Sequence, residues 1–183
     1  MTTYPTFTTT RLTIRQLHQK DAQALFTLYT SPEVLTYFGM EPLESIAKAE
    51  GIIEARQEAA GLAPMRWAIT DQGDNLIGTC GFHATSEPHK RCEIGYDLLP
   101  IHWGKGYMTE ALQPVIDYLF REVGVVRVGA VIIPENAGSS RVVEKLGFTR
   151  EGLLRDYIMQ DQLSHDVYSY SMLKKEWADG VMS

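Results

Sequence analysis

The stretch His102-Trp103-Gly104-Lys105-Gly106-Tyr107 joins a strand-like segment to a strongly amphipathic helix. Its two glycines let the backbone pass close to a ligand. The unpaired N–H groups of the helix's first turn, at the positive end of the helix dipole, point toward whatever occupies the loop. The stretch therefore predicts an anion site, and a phosphate-bearing cofactor is the ligand that suits it.

The helix after this loop is predicted from its apolar spacing. One face repeats at i, i+3 and i+4 and comprises Met108, Ala111, Leu112, Val115, Ile116, Leu119 and Phe120. Pro114 lies inside this helix, so we expect a bend there and not an end. Gly104 and Gly106 alone could simply form a tight connection. The dinucleotide-binding fingerprint needs a glycine or alanine where Thr109 stands, and a P-loop would end in Gly-Lys-Ser/Thr, which is absent. Neither the dinucleotide-binding fold nor the P-loop fold is therefore favoured.

Composition restricts the class of protein. The 183 residues carry a net charge of −6 and are 44% hydrophobic and 22% charged, which suits one globular domain over 1–183. No lysine- and arginine-rich run is present, so neither nucleic acid nor a membrane is expected as a partner, and a cationic substrate is favoured. The chain lacks an apolar run of 18 residues and a signal-peptide pattern, which predicts a cytoplasmic protein.

The cysteines and histidines give no sign of a metal centre. Cys80 and Cys92 lie in strand-like runs and are expected to be buried thiols, with a disulfide or a catalytic cysteine as the less favoured alternative. The five histidines are scattered without the spacing of metal ligands. No metal site is predicted.

Strand and helix patterns follow one another in the order of an α+β fold. Alternating or β-branched runs predict strands at 9–17, 65–70, 76–82, 91–99, 125–133, 148–159 and 167–173. Helices are predicted at 21–29, 42–60, 108–120 and 136–146, with a helical turn starting at 31 and a polar loop at 84–90. The segments between 91 and 133 make one βαβ unit. We expect a mixed, mostly antiparallel sheet of about seven strands with helices on both faces.

Several motifs taken together resemble the GNAT superfamily of acetyl-CoA-dependent N-acetyltransferases. They are Cys92-Glu93-Ile94-Gly95-Tyr96, the loop and helix start from Trp103 to Ala111, Asn136-Ala137-Gly138-Ser139, and Glu144-Lys145-Leu146-Gly147-Phe148. Thr10-Arg11-Leu12 and His165-Asp166 are similar to the RimJ/RimL-type branch, which contains ribosomal-protein N-terminal acetyltransferases. The resemblance covers about 9–174, the expected core of a single GNAT-like domain. It implies that the central parallel pair of strands is splayed.

The resemblance also implies where acetyl-CoA binds. The glycine loop would hold the pyrophosphate, and pantetheine would fill the gap beside the strand of Glu93. The backbone of Leu98 and Leu99 would pair with the pantetheine amides, while Asn136 and Ser139 would lie near the thioester. Ile101 departs from the family's usual Gln or Arg and removes one polar contact. The expected cofactor-binding set is Leu98, Leu99, His102, Trp103, Gly104, Lys105, Gly106, Tyr107, Met108, Asn136 and Ser139.

Amide formation from a thioester needs a neutral amine, a stabilised oxyanion and a proton for the leaving thiolate. We assign Glu93 as the base, directly or through water, and Ser139 as the proton donor, with a backbone N–H of the splayed strand at the oxyanion. Glu93 could instead be an ordinary strand carboxylate paired with a cation. Tyr107 and Tyr157 are rival proton donors.

Other residues near these motifs have structural interpretations beside the functional ones. Asn136 is expected to cap a helix whether or not it touches ligand, and Ser139 could be only a polar residue of that helix's first turn. Trp103 could pack the loop onto the sheet, and Lys105 could be a solvated charge. Tyr96 is expected in the core, on the opposite strand face from Glu93.

The expected activity is transfer of an acetyl group from acetyl-CoA to a primary amine, by direct attack in a ternary complex. A protein N-terminal α-amine is the leading acceptor. A polyamine or aminoglycoside is the alternative, since a net charge of −6 suits any cation. A different class of function is the further alternative: a regulatory module that binds acyl-CoA without catalysing a reaction. A homodimer is expected by resemblance only.

Overall fold

The structure, a computed structural model, describes residues 5–57 and 64–181. These residues form one eight-stranded sheet with helices on both faces. The strands are β1 (Phe7–Thr8), β2 (Thr13–Gln16), β3 (Met65–Thr70), β4 (Leu76–Ser86), β5 (Arg91–Leu98), β6 (Arg127–Ile132), β7 (Thr149–Gln160) and β8 (Leu163–Leu173). The helices are α1 (Ala22–Leu28), α2 (Pro32–Leu35), α3 (Ile46–Gln57), α4 (Tyr107–Tyr118), α5 (Ala137–Lys145) and α6 (Lys174–Val181).

The strand order is β1-β2-β3-β4-β5-β6-β8-β7, and only β5 and β6 run parallel. Their register consists of three pairs, Arg91↔Arg127, Cys92↔Val128 and Glu93↔Gly129. Beyond Glu93 the two strands diverge, while β5 stays paired with β4 as far as Leu98. The mixed sheet with a splayed central pair is therefore confirmed, with one strand more than the expected seven.

Two apolar layers cover the sheet. One layer packs α4 and α5 against Trp67, Phe82 and their neighbours, and the other packs α1 and α3 around Ala68. Cys80 and Cys92 are free, and burial raises the pKa of each thiol to about 12, so both act as core residues. Both thiols were expected to be buried, and that prediction is confirmed.

The ends of several elements differ from the sequence-based expectation. β4 continues to Ser86 through a register shift after His83, with Ala84 at φ 47°, so residues 84–86 of the expected 84–90 loop are strand. β8 begins at Leu163, because only Asp161 and Gln162 are needed for the turn. Within the expected strand 9–17 only β2 is strand, β1 lies before it, and α6 was not expected. In each case pairing with a neighbouring strand or packing against it decided the boundary. The expected helix end at 58–60 lies outside the described residues.

Pro114 is tolerated inside α4. The helix passes through it to Tyr118 and continues as a π-helical turn, Leu119–Val123, that ends at Gly124 with φ 78°. The expectation that Pro114 does not end the helix is confirmed. α4 therefore packs along the sheet for its whole length, which fixes the position of its N-terminus.

Close approach of two strands makes Gly81 essential to the sheet. A Cβ at Gly81 would lie 2.1 Å from the backbone oxygen of Met65, whereas a Cβ at Gly152 would meet nothing within 4 Å. We predict that Gly81→Ala lowers the free energy of unfolding by roughly 1–3 kcal/mol or more, because β3 must move away. Thermal unfolding should show a midpoint several degrees lower. Gly152→Ala, also in a strand, is the control, and equal midpoints for the two variants would contradict the prediction.

Candidate active site

A cavity of about 950 Å³ lies where β5 and β6 separate, and we call it the central cavity. One of its sides is formed by residues 94–98 of β5. Another is formed by the end of β6 and the residue that follows it, 130–133. The glycine loop, the first turn of α4 and the first turns of α5 also line it. α2, the segment that follows it and the end of β7 complete the lining. The cavity therefore runs through the split in the sheet.

The glycine loop reaches the cavity in a conformation that requires glycine. Gly104 and Gly106 have φ values of 72° and 78°, in the left-handed region. Gly106 is also the N-cap of α4, so the free N–H groups of the helix begin beside it. The arrangement offers backbone donors and the positive end of a helix dipole to an anion, as a pyrophosphate needs.

Trp103 fastens this loop to the sheet. Its indole Nε1 donates a 2.6 Å hydrogen bond to the carbonyl oxygen of Leu98. The backbone N–H of Leu99 donates to Ile77 at 2.9 Å, and the carbonyl of Leu99 accepts from His102 at 2.9 Å. Three backbone groups of Leu98 and Leu99 thus already have partners. Their pairing with pantetheine stays a prediction, and it must use the groups or lone pairs that remain.

Arg11 holds the loop from the other side, which the sequence reasoning did not anticipate. Its guanidinium donates to the carbonyl oxygen of Lys105 at 3.0 Å and to Glu110 at 2.6 Å, and it lies 4.4 Å from the centre of the Tyr107 ring. Glu110 also accepts from the Thr9 hydroxyl at 2.6 Å and from the Arg11 backbone at 2.9 Å. The N-terminal segment therefore fixes both the glycine loop and the first turn of α4.

The first turn of α5 places further polar groups at the central cavity. The Asn136 side chain caps the helix by accepting from the Ser139 N–H at 3.0 Å, so the expected capping role is confirmed. The Ser139 hydroxyl lies 2.7 Å from the Tyr96 hydroxyl, which also lies 3.1 Å from the Ser139 carbonyl oxygen. Burial raises the pKa of Tyr96 above its usual range, and the hydrogen bond with Ser139 opposes this only in part.

The Tyr96 side chain therefore borders both the hydrophobic core and the cavity. It packs against the core cluster, as expected, and it also lines the central cavity beside Ser139. Among the rival proton donors, Tyr107 lines the cavity, whereas Tyr157 is half-exposed and lies outside the lining. The pair of Tyr96 and Ser139 was not foreseen because the two residues are 43 positions apart in the sequence.

Glu93 lies on β5 at the point where the strands begin to separate. Its side chain is 17% exposed, and one carboxylate oxygen lies 3.9 Å from Nε2 of His83 on β4. His83 lines the central cavity, and Glu93 does not. A proton moving from the cavity to Glu93 would therefore travel past His83 or through water.

The part of the cavity bordered by the α2 region and β7 includes several apolar side chains. Its wall includes Val34 and Phe38 from the α2 region and Ile158 from β7. Gln160 joins these two regions, since its amide nitrogen donates to the carbonyl oxygens of Leu35 and Thr36 at 3.0 and 3.1 Å. Its amide oxygen accepts from the Gly39 N–H at 3.2 Å. One side chain thus ties the β7–β8 turn to the segment that covers the cavity.

A buried ion pair also borders the cavity. Arg66 pairs with Asp97, whose carboxylate also accepts from the Thr79 backbone at 3.0 Å and from the Thr79 hydroxyl at 2.9 Å. The guanidinium lies 5.4 Å from the centre of the Phe38 ring. Because each charge has its partner, the pair adds little net charge to the cavity.

Most of the expected site residues meet at the central cavity. Its lining includes Leu98, His102, Trp103, Gly104, Gly106, Tyr107, Met108, Asn136 and Ser139. Glu93, Leu99 and Lys105 lie beside it without lining it. The sequence had no signal for Arg66, His83 and Gln160, since each reaches the site through strand pairing or a long-range contact.

A split sheet with a glycine loop at a helix N-terminus suits an elongated ligand that carries a phosphate. Residues 11–149 match the family profile described as an acetyltransferase (GNAT) domain. The uncharacterized N-acetyltransferase YoaA of Bacillus subtilis (strain 168) is 39% identical over 176 residues, covering 93% of this chain and 98% of that protein. The chain therefore belongs to the GNAT acetyltransferase family, and it is an acetyl-CoA-dependent acetyltransferase.

Two further relatives differ in the acceptor that their names give. The putative ribosomal N-acetyltransferase YdaF of Bacillus subtilis (strain 168) is 32% identical over 171 residues, covering 91% of this chain and 93% of that protein. The structure of spermidine N-acetyltransferase from Vibrio cholerae in complex with CoA and spermine matches with a TM-score of 0.82. It is 24% identical and covers 93% of this chain and 99% of that one. No helix within 5–57 or 64–181 is long and apolar enough to cross a membrane.

We predict that Arg11→Ala weakens acetyl-CoA binding by roughly tenfold, the equivalent of about 1.4 kcal/mol, because the loop loses its tie to Lys105 and Glu110. Isothermal titration calorimetry measures the change directly. Arg150→Ala is the matched control, because Arg150 is also exposed and lies 4.6 Å from the centre of an aromatic ring, that of Tyr168, outside the cavity lining. Equal affinities for the two variants would show that Arg11 does not shape the loop.

A pH-dependent contribution is expected from Glu110. Burial tends to raise its pKa, but hydrogen bonds from Thr9 and Arg11 outweigh that effect and lower the pKa below 4.5. Because the folded-state pKa is the lower one, the ionised carboxylate stabilises the fold above the unfolded value and loses this effect as pH falls through the folded value. The difference in unfolding midpoint between the wild type and Glu110→Gln should be constant near neutral pH and shrink below about pH 4.5. A constant difference down to pH 3 would contradict this.

Proposed function

We propose that the acceptor is the α-amine of a protein N-terminus, as in the RimJ/RimL-type branch of the family. The observation that carries the proposal is the apolar side chains of Val34, Phe38 and Ile158 in the cavity lining. Such a lining suits one amine attached to an apolar or uncharged residue. YdaF, at 32% identity, is named as a putative ribosomal N-acetyltransferase, which agrees with this choice.

Among the described residues, three carboxylates line the cavity, and each comes from a different part of the chain. Glu33 is exposed on α2, Glu135 precedes the α5 cap, and Asp97 is already paired with Arg66. A polyamine carries several ammonium groups along a flexible chain, and each needs an anionic partner where it is buried. The arrangement therefore favours an acceptor with a single positive charge near the thioester.

A small amine such as a polyamine is the second candidate. The net charge of −6 and the exposed Glu33 in the cavity lining favour it. The Vibrio cholerae protein with the same fold is named for spermidine. The non-catalytic acyl-CoA-binding module proposed from the sequence would bind the cofactor without any acceptor.

Four parts of the chain carry out the steps of the proposed reaction. Acetyl-CoA supplies the activated acetyl group. The glycine loop and the α4 N-terminus bind its pyrophosphate, and backbone N–H groups of β5 beyond Glu93 stabilise the oxyanion. Glu93 draws the proton from the acceptor ammonium, directly or through water. Ser139, oriented by Asn136 and Tyr96, donates the proton that the leaving sulfur needs.

The remaining proposals come from the sequence. We propose one domain over 1–183 with a core at about 9–174, a cytoplasmic location and a homodimer. Continuity of the sheet from β1 to β8 supports the first of these. The acidic net charge supports the absence of a nucleic-acid partner.

The test is release of free CoA thiol from acetyl-CoA with N-terminal peptides, polyamines and aminoglycosides as acceptors, with the mass of each product determined. We expect turnover on peptides. Turnover on small amines alone would identify a small amine as the acceptor. Acetyl-CoA binding without turnover on any of the acceptors would favour the non-catalytic binding module.

Glu93→Gln should lower kcat/KM by roughly 10²-fold or more while leaving acetyl-CoA affinity unchanged, because only proton removal is lost. Glu87→Gln is the matched control, since Glu87 is exposed in the turn between β4 and β5. Equal kcat/KM values for the two variants would remove Glu93 from the mechanism.

A further inference from the structure

His83 and Glu93 form a cross-strand pair between β4 and β5. They are register partners, so their side chains lie on the same face of the sheet. Nε2 of His83 lies 3.9 Å from the nearer carboxylate oxygen of Glu93. This is ion-pair range, slightly longer than a hydrogen bond, so a small closure or one water completes the link.

The two side chains differ in their access to the central cavity. His83 is 50% exposed and lines the cavity, while Glu93 is 17% exposed and lies behind it. A register shift follows His83 directly, with Ala84 at φ 47°. Bulges of this kind redirect neighbouring side chains, and they occur often beside active sites.

Gly95 makes room for the imidazole. It lies two residues after Glu93 on the same face of β5 and lines the cavity. A Cβ at Gly95 would lie 3.2 Å from Cε1 and 3.4 Å from Nδ1 of His83. The ring therefore leans across Gly95, with Nε2 toward Glu93 and Nδ1 over the strand that borders the cavity.

We propose that His83 is the group that accepts the proton of the acceptor amine, with Glu93 as its partner behind it. This proposal rests on the proposed function. The acceptor's N–H bond breaks, and its electron pair stays on nitrogen and attacks the thioester carbonyl. The proton passes to Nδ1 of His83, and Glu93 stabilises the resulting imidazolium. The C–S bond then breaks, Ser139 gives a proton to the thiolate and regains one from the nitrogen of the tetrahedral intermediate, and His83 loses its proton to solvent through its exposed side.

The charges around His83 suit this role. Glu93 on β5 favours the protonated imidazole, and Arg66 on β3, 3.4 Å from the Gly95 Cβ position, would oppose it. Asp97 on β5 pairs with Arg66 and offsets most of that opposition. Glu33 of α2 also lines the cavity. Histidine titrates near neutral pH, so it can take a proton from an α-amine, whose pKa is about 8, more readily than a carboxylate can.

The test compares His83→Gln with His89→Gln in the same assay of N-terminal peptide acetylation. His89 is exposed in the turn between β4 and β5 and does not line the cavity, so it is the matched control. We expect His83→Gln to lose roughly 10²-fold in kcat/KM with acetyl-CoA affinity unchanged, and His89→Gln to stay within twofold of wild type. The loss should be at least as large as that of Glu93→Gln, and the double variant should lose little more, because the pair acts as a unit.

Two readouts separate a proton acceptor from a structural residue. The rise of kcat/KM with pH in the wild type should shift in His83→Gln toward the pKa of the free amine, and added imidazole should restore activity to His83→Ala. An unchanged pH profile in His83→Gln, or a Glu93→Gln loss without a His83→Gln loss, would overturn the role of His83 and leave the proposed function standing. Absence of acetylation of every acceptor by the wild type would overturn both.

Discussion

The short register between β5 and β6 is the constraint on which the site depends. Three residue pairs hold the strands together, and the pairing stops at Glu93 and Gly129. Backbone groups that leave a sheet need other partners, because burying them unpaired is costly. β5 retains β4 on one side, so only its open edge faces the gap. A ligand with amides along its length, as pantetheine has, can satisfy that edge.

The rest of the molecule fixes the position of the gap. α4 lies against the sheet through an uninterrupted apolar face, and its N-terminus is held by Arg11, Glu110 and the Trp103 contact with Leu98. α5 presents Ser139 through the Asn136 cap. On the opposite side, Gln160 ties the β7–β8 turn to the segment after α2. The glycine loop, Ser139 and the apolar side chains of the α2 region thus meet at the central cavity because three separate parts of the chain are anchored to one split sheet.

The local features of the site could be predicted from the sequence, and its long-range features could not. Gly104, Gly106 and the spacing after Met108 identify the loop and helix because backbone conformation and helix period are local properties. Asn136 was predicted as a cap for the same reason. The contact of Arg11 with Lys105, the pair of Tyr96 and Ser139, and the tie made by Gln160 join residues 43 to 125 positions apart. Strand ends at Ser86 and Leu163 were missed because pairing extended segments that look polar in sequence.

The most direct test of this account is a crystal structure of the protein with CoA bound. The account predicts the pyrophosphate on the glycine loop at the α4 N-terminus, pantetheine between β5 and β6, and the sulfur within hydrogen-bonding reach of the Ser139 hydroxyl. A closed gap with CoA bound elsewhere would contradict it. So would a sulfur that lies far from both Ser139 and Tyr96.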